Sequence, residues 1–197
     1  MKVCIILGTR PEIIKCAPLI RECQNRKIPF ILVHSGQHYS YEMDQIFFEE
    51  LDLPKPNYSL AAGSGTHGKQ TAIILEKFEK ILLEEKPSIV LVQGDTNTVL
   101  AGALAASKLH IAVGHVEAGL RSYCRDMPEE LNRLVADTLS DFLFVPTENS
   151  KKILIGEGYP ESRVFVTGNT VVDATLDHVK IAEQKSDILE KLNIKPK

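Results

Sequence analysis

The chain has 197 residues, 44% of them hydrophobic, enough to bury the core of one α/β domain or of one domain with a trailing segment. Its 26 acidic and 23 basic residues leave a net charge of −3, without the basic excess of a nucleic-acid or membrane-surface protein, and no apolar stretch approaches the ~20 residues of a membrane span. The four cysteines (Cys4, Cys16, Cys23, Cys124) form no C-x-x-C pair, which excludes a zinc knuckle or a redox motif and makes a reducing cytoplasm the expected setting.

The first apolar run, Val3–Leu7, is too short for a secretory signal and leads directly into Gly8-Thr9-Arg10-Pro11-Glu12. It reads as a strand buried on both faces. Further strands are predicted at Phe30–His34, Ile89–Gln93, Ile111–Val116, Phe142–Val145 and Val164–Thr167. Helices are predicted between them, at Pro11–Gln24, Tyr41–Glu50, Gln70–Glu84, Asn97–Lys108, Glu129–Ser140 and Glu148–Glu157. A last helical stretch runs from Gly168-Asn169-Thr170 to about Val179, and the charged segment 180–197 reads as a linker. This alternation predicts a Rossmann-like parallel sheet with helices on both faces, in which ligands bind at the carboxyl ends of the strands.

Those ends carry the polar residues. After the first strand, Thr9 and Glu12 have capping-box spacing and Pro11 stands at the first helical position, so the positive end of a helix faces the crevice. Arg10 and Lys15 add charge to what is a ready anion site. The dinucleotide fingerprint G-x-G-x-x-G is absent, which argues against NAD. His34-Ser35-Gly36-Gln37-His38 lacks the partner ligands of a metal site, and its polar residues read as loop or substrate contacts. In Gln93-Gly94-Asp95-Thr96-Asn97, Thr96 or Asn97 can cap the following helix, leaving Asp95 free for chemistry. His115-Val116-Glu117-Ala118-Gly119-Leu120-Arg121 places an acid, a base and a cation at a glycine turn. It is not a zinc deaminase signature, since the required Pro-Cys-x-x-Cys is missing. In Pro128-Glu129-Glu130-Leu131-Asn132-Arg133, two carboxylates occupy a first helical turn, where dipole compensation accounts for acidic residues as a class.

One rival is Gly63-Ser64-Gly65-Thr66-His67-Gly68-Lys69-Gln70, close to a phosphate-binding loop of triphosphatases. Gln70 stands where a hydroxyl must hold Mg²⁺, and 57–62 has no strong apolar run to serve as the preceding strand.

Gly8-Thr9-Arg10-Pro11-Glu12, Gly36-Gln37-His38, Gly94-Asp95-Thr96, His115 to Arg121, Pro128 to Arg133 and Gly168-Asn169 together resemble the non-hydrolysing UDP-N-acetylglucosamine 2-epimerases, in the family's order over residues 1–173. The resemblance implies a glycosyltransferase-B arrangement of two Rossmann-like domains. Of these the chain matches only the amino-terminal one (1–179, followed by 180–197 leading to a second domain), which is inactive alone. It implies an isomerase of polysaccharide-precursor synthesis that interconverts UDP-GlcNAc and UDP-ManNAc. The route is elimination of UDP and its re-addition through 2-acetamidoglucal, without metal or other cofactor, in a cytoplasmic homodimer. By motif match, Asp95, Glu117 and Glu129 are acid/base candidates, with Glu130 as alternate to Glu129. Arg10, Lys15, Gln37, His38, His115, Arg121, Asn132 and Arg133 are substrate-binding candidates. The alternatives are a non-catalytic nucleotide-sugar-binding or dimerisation domain, a hydrolysing epimerase, and an epimerase of a related 2-acetamido nucleotide sugar such as a diacetamido-uronic acid.

Overall fold

The computed structural model describes residues 1–37 and 41–194. In chain order it contains β1 (Val3–Leu7), α1 (Arg10–Asn25), β2 (Phe30–His34), α2 (Tyr41–Glu50), β3 (Tyr58–Ser59), α3 (His67–Glu85), β4 (Ile89–Gln93) and α4 (Asn97–Lys108). There follow β5 (Ala112–Val116), α5 (Pro128–Leu139), β6 (Phe142–Val145), α6 (Glu148–Gly156), β7 (Val164–Val166), α7 (Thr170–Lys185) and α8 (Ile188–Lys191). The strands form one parallel sheet in the order β3-β2-β1-β4-β5-β6-β7. The order reverses between β1 and β4, so the chains leaving these two neighbours diverge and leave a crevice at their ends.

β1 shows why the centre of the sheet is covered on both faces. Successive side chains of a strand point to opposite sides. Val3, Ile5 and Leu7 join Ile13, Cys16 and Ile20 of α1 and Phe48 of α2 in one core, while Cys4 and Ile6 join Ile74 and Phe78 of α3 and Val99 of α4 in the other. Each large side chain so buried contributes about 1.5–3 kcal/mol. Among the described residues no helix is long and apolar enough to cross a membrane.

Four elements differ from the sequence reading: β3, α3, α7 and α8, the last lying at Ile188–Lys191 within the segment read as a linker. β3 is a two-residue edge strand, paired to β2 through Val33↔Tyr58 and His34↔Ser59; so short an edge needs no apolar run, which is why the sequence hid it. α3 starts at His67 rather than at position 70. α7 continues past Val179 to Lys185, packed along α1, with Arg21 of α1 reaching Asp177 at 3.3 Å.

Gly8, directly after β1, is required by close approach: a Cβ there would lie 1.9 Å from Ser35 Oγ and 2.5 Å from Thr98 Oγ1. These two hydroxyls are hydrogen-bonded at 2.8 Å and join β2 to α4 behind the crevice.

Candidate active site

The ends of β1, β4 and β5 open into a cleft of about 400 Å³ lined by Thr9, Glu12, Lys15, Asp95, Thr96 and Glu117, with Gln93, Leu120 and Asn169 among its other walls. Larger grooves of about 700 and 630 Å³ flank α7, but neither contains the strand-end carboxylates.

Glu117 follows β5 with a left-handed backbone (φ +68°), which a side chain other than glycine adopts at a cost of order 1–3 kcal/mol. This turn delivers its carboxylate to the cleft, where Lys15 Nζ meets Oε2 at 2.7 Å and Gln93 Nε2 donates to the same oxygen. The carboxylate is thus 5% exposed yet paired. Thr96 caps α4, accepting from the Val99 N–H at 3.4 Å, so Asp95 is not consumed as a cap. The Asp95 side chain is a third exposed and pairs with Arg133 Nη1, while Asn132 Nδ2 donates to the Asp95 carbonyl at 2.8 Å. Arg133 and Asn132, two substrate-contact candidates, therefore hold Asp95 in place.

The two adjacent glutamates of α5 part company. Glu129 is half-buried and makes no hydrogen bond or ion pair among the described residues. Glu130 is buried and accepts the Ser122 N–H (2.9 Å), the Tyr123 N–H (3.0 Å), the Ser122 hydroxyl (3.0 Å) and Arg133 Nη2 (2.8 Å). Burial alone would raise its carboxyl, but these donors outweigh it and pull the pKa down to about 2. Its oxygens clamp the loop ahead of α5.

Arg10 stands exposed at the start of α1 without a partner among the described residues. Gln37 is tied inward: its Oε1 accepts from Thr98 Oγ1 at 2.8 Å and its carbonyl from Gln70 Nε2 at 3.1 Å. Gln70 also donates to the Gly63 carbonyl at 2.8 Å and accepts from Asn97 Nδ2 at 2.8 Å. The glycine-rich loop is thus stitched to β2 and α4 by a buried Gln70, Lys69 points to solvent, and no buried strand precedes the loop; the triphosphatase geometry is not formed. His38 lies outside the described residues.

His115 and Arg121, expected to touch a ligand, are placed in the scaffold instead. His115 is fully buried, with Nδ1 2.6 Å from Asp137 Oδ1 and Nε2 2.8 Å from the Gly94 carbonyl. Arg121 Nη1 pairs with the other Asp137 oxygen at 2.7 Å, and its Nε and Nη2 fork onto Glu157 at 2.9 and 2.7 Å. With the side chain 1% exposed and four of its five N–H groups engaged, Arg121 ties the 117–121 turn to the end of α6. His115 fixes the carbonyl immediately before Asp95. Burial would raise the Asp137 carboxyl, but His115 and Arg121 overcome this and hold it below the ordinary aspartate range.

Sequence reasoning missed three residues that organise the site. Gln93 holds Glu117, and Asp137 unites His115, Arg121 and the Gly119 N–H. Glu12, read only as a cap, is a buried hub. Its Oε2 accepts the Gly8 and Thr9 N–H groups at 2.7 and 2.8 Å, and its Oε1 lies 2.6 Å from the Thr96 hydroxyl. Burial drives its pKa up to about 7, against the hydrogen bonds from Thr96, Gly8 and Thr9.

Among the described residues no three His, Cys, Asp or Glu side chains gather to hold a metal. The cysteines are free, and burial pushes the Cys4 thiol up to about 12.

A family model described as UDP-N-acetylglucosamine 2-epimerase matches residues 21–197. The chain belongs to the UDP-N-acetylglucosamine 2-epimerase family. The Methanocaldococcus jannaschii UDP-N-acetylglucosamine 2-epimerase is 60% identical over 188 residues, 95% of this chain and 51% of that protein. A crystal structure of the M. jannaschii UDP-GlcNAc 2-epimerase in complex with UDP-GlcNAc and UDP superposes with a TM-score of 0.94 at 58% identity, covering 98% of this chain and 53% of that one. A Pseudomonas aeruginosa UDP-2,3-diacetamido-2,3-dideoxy-D-glucuronate 2-epimerase is 45% identical over 179 residues, 89% of this chain and 51% of that protein. A lipopolysaccharide outer core galactosyltransferase matches at a TM-score of 0.61 and 17% identity over 86% of this chain and 46% of that one, a likeness of fold alone. This epimerase-family chain spans about half the length of the relatives it matches.

Proposed function

We propose that this chain supplies the catalytic carboxylates and the diphosphate-binding end of an enzyme that interconverts UDP-GlcNAc and UDP-ManNAc. The observation that carries the reading is the convergence of Asp95, Glu117 and Lys15 on one cleft at the point where the strand order reverses. The C2 proton of a glycosyl diphosphate is adjacent to no carbonyl, so it becomes removable only as the C1–O bond breaks. The electron pair of that bond leaves with UDP, a carboxylate takes the C2 proton, and 2-acetamidoglucal remains with a C1=C2 double bond. A second acid protonates C2 from the opposite face, and the UDP oxygen re-adds to C1. Asp95, Glu117 and Glu129 are the acid/base groups in this scheme. Arg10, Lys15 and the amino end of α1 stabilise the charge developing on the diphosphate. A diphosphate that takes a share of Lys15 loosens its hold on Glu117 and frees that carboxylate for the C2 proton. A second half, as in the longer relatives, closes the cleft, and the assembled enzyme is a cytoplasmic homodimer.

The reading is tested by incubating the chain with UDP-GlcNAc in D₂O and following the sugar protons by NMR. Saturation transfer to the nucleotide sugar, weakened roughly tenfold by Lys15→Ala, is the expected result for the chain by itself. Deuterium at C2 would show that it also carries out the chemistry unaided, and Glu117→Gln would then abolish that exchange. Absence of saturation transfer overturns the reading. The Pseudomonas relative favours a second reading, a diacetamido-uronic acid nucleotide as substrate, which predicts stronger transfer to that compound than to UDP-GlcNAc.

A further inference from the structure

Glu12 sits at the switch point but has no part in the acid/base scheme above. It links two chain segments that must stay in register for the cleft to exist: the 8–9 loop, through the Gly8 and Thr9 N–H groups on Oε2, and the amino end of α4, through Thr96 next to Oε1. The arrangement works in two protonation states. With Glu12 ionised, the Thr96 hydroxyl donates to Oε1. With Glu12 protonated on Oε1, the same contact reverses, and Thr96 Oγ accepts the carboxylic proton. Oε2 keeps both backbone donors either way, so a proton is gained or lost without breaking the link.

The charged surroundings give that proton a consequence. On its own helix Glu12 neighbours Arg10 and Lys15, with the Cys16 thiol behind it; Asp95 faces it from the β4–α4 loop and Glu117 from the turn after β5. Of these cations, Lys15 is taken by Glu117, and none pairs with Glu12. An ionised Glu12 places a negative charge directly against the amino end of α1, the position at which a diphosphate would bind.

Resting on the nucleotide-sugar reading, we infer that Glu12 is a positioning residue that takes up a proton when the diphosphate of the ligand arrives, so that the end of α1 keeps its positive character while the two loops stay joined. Its unliganded pKa of about 7 makes the exchange accessible at neutral pH. No bond to the ligand is required. The proton comes from solvent, and its charge offsets part of the charge the ligand brings.

The experiment is calorimetry of UDP-GlcNAc binding to the full chain at pH 7 to 8 in two buffers of different ionisation enthalpy. The nucleotide sugar has no group titrating in that range, so any proton exchanged belongs to the protein. Uptake of about half a proton per ligand at pH 7, rising toward pH 8, is expected. Glu12→Gln, which keeps an acceptor for the backbone donors and a donor for Thr96, should bind with affinity within about threefold of the parent at pH 7 while that uptake disappears. Glu12→Ala, which removes the link, should bind at least roughly tenfold more weakly. A merely structural Glu12 would leave the proton count unchanged in Glu12→Gln, and that result overturns the inference, as does binding by the parent with no uptake. Carboxyl-carbon NMR of the unliganded chain, with Glu12 assigned by its disappearance in Glu12→Gln, gives a separate reading. A midpoint near 7 is expected and one below about 5 overturns the inference. Absence of binding by every variant counts against the nucleotide-sugar reading, and the carboxyl titration then still decides on Glu12.

Discussion

The first turns of α1 and α5 were built to the same local plan and ended in opposite electrostatic states. Each begins with a proline near its start, and each sends a glutamate back to accept two consecutive backbone N–H groups: Gly8 and Thr9 for Glu12, Ser122 and Tyr123 for Glu130. Each glutamate also meets a hydroxyl, Thr96 or Ser122, and each is 2% exposed. Yet burial carries Glu12 up to a pKa of about 7, while Glu130 falls to about 2. Two things differ: desolvation weighs far more heavily on Glu12, and Glu130 has a cation among its donors. Arg133, one turn along α5, forks onto Glu130 and Asp95; α1 offers Lys15 in the corresponding direction, but Lys15 is spent on Glu117. On Glu12 the desolvation outweighs the hydrogen bonds, whereas on Glu130 a smaller desolvation is outweighed by the Ser122 and Tyr123 N–H groups and the Arg133 guanidinium together.

The largest effect is expected where that cation is removed. Arg133→Met leaves Glu130 buried without its charge partner and frees the Asp95 side chain, and should destabilise the chain by about 3 kcal/mol in urea unfolding. Its sharper signature is the Glu130 titration, which should climb from about 2 toward the ordinary glutamate value. A Glu130 midpoint that stays near 2 would show that the backbone donors suffice and would break the comparison.

The two glutamates also give the stability profile two legs of opposite sign. Glu12 binds its proton more tightly in the folded chain than in the unfolded one, so between about pH 4.5 and 7 the folded state holds the extra proton and stability falls as pH rises. Glu130 binds its proton less tightly when folded; its contribution is complete above about pH 4.5 and is lost as pH falls toward 2. Glu12→Gln should therefore leave the acid leg intact, flatten the leg from pH 4.5 to 7, and make the chain about 2 kcal/mol more stable than the parent at pH 8. Urea midpoints collected at half-unit pH steps test this; a parental slope surviving in Glu12→Gln assigns the neutral leg to another group.

How much of this was legible in the sequence depends on how far apart the partners lie. Short apolar runs announce strands by themselves, so β1, β2, β4 and β6 were readable to the residue. The Thr9–Glu12 box was readable because its partners are three apart. That Glu12 is a buried hub was not, since the hydroxyl completing it is 84 positions away. Nor does anything local announce that Lys15 and Glu117, 102 positions apart, meet at 2.7 Å. His115 and Arg121 were drawn toward the ligand by their closeness to Glu117. But β5 ends at Val116 and Glu117 turns with positive φ, so the alternation that would have put His115 and Glu117 on one face is broken between them. His115 is left facing Asp137, a buried carboxylate in the last turn of α5 that periodicity alone reads as a solvent position.

The smallest effect concerns the Thr96 hydroxyl, and it separates the two jobs that oxygen performs. As the α4 cap it accepts the Val99 N–H at 3.4 Å, a long bond worth at most about 1 kcal/mol. As the partner of Glu12 it closes the link across the cleft at 2.6 Å. Thr96→Val removes both while preserving shape. Because the hydroxyl is one of the groups holding the Glu12 pKa down, its loss should also move that carboxyl further up. A cost of about 1 to 2 kcal/mol is expected, with Thr96→Ser near zero because it retains the oxygen. The double variant Glu12→Leu/Thr96→Val should be less destabilised than the sum of its parts, since each single change strands the other's polar group and the pair does not. Strict additivity would confine Thr96 to capping α4 and remove the Glu12–Thr96 contact as a link between the two walls of the cleft.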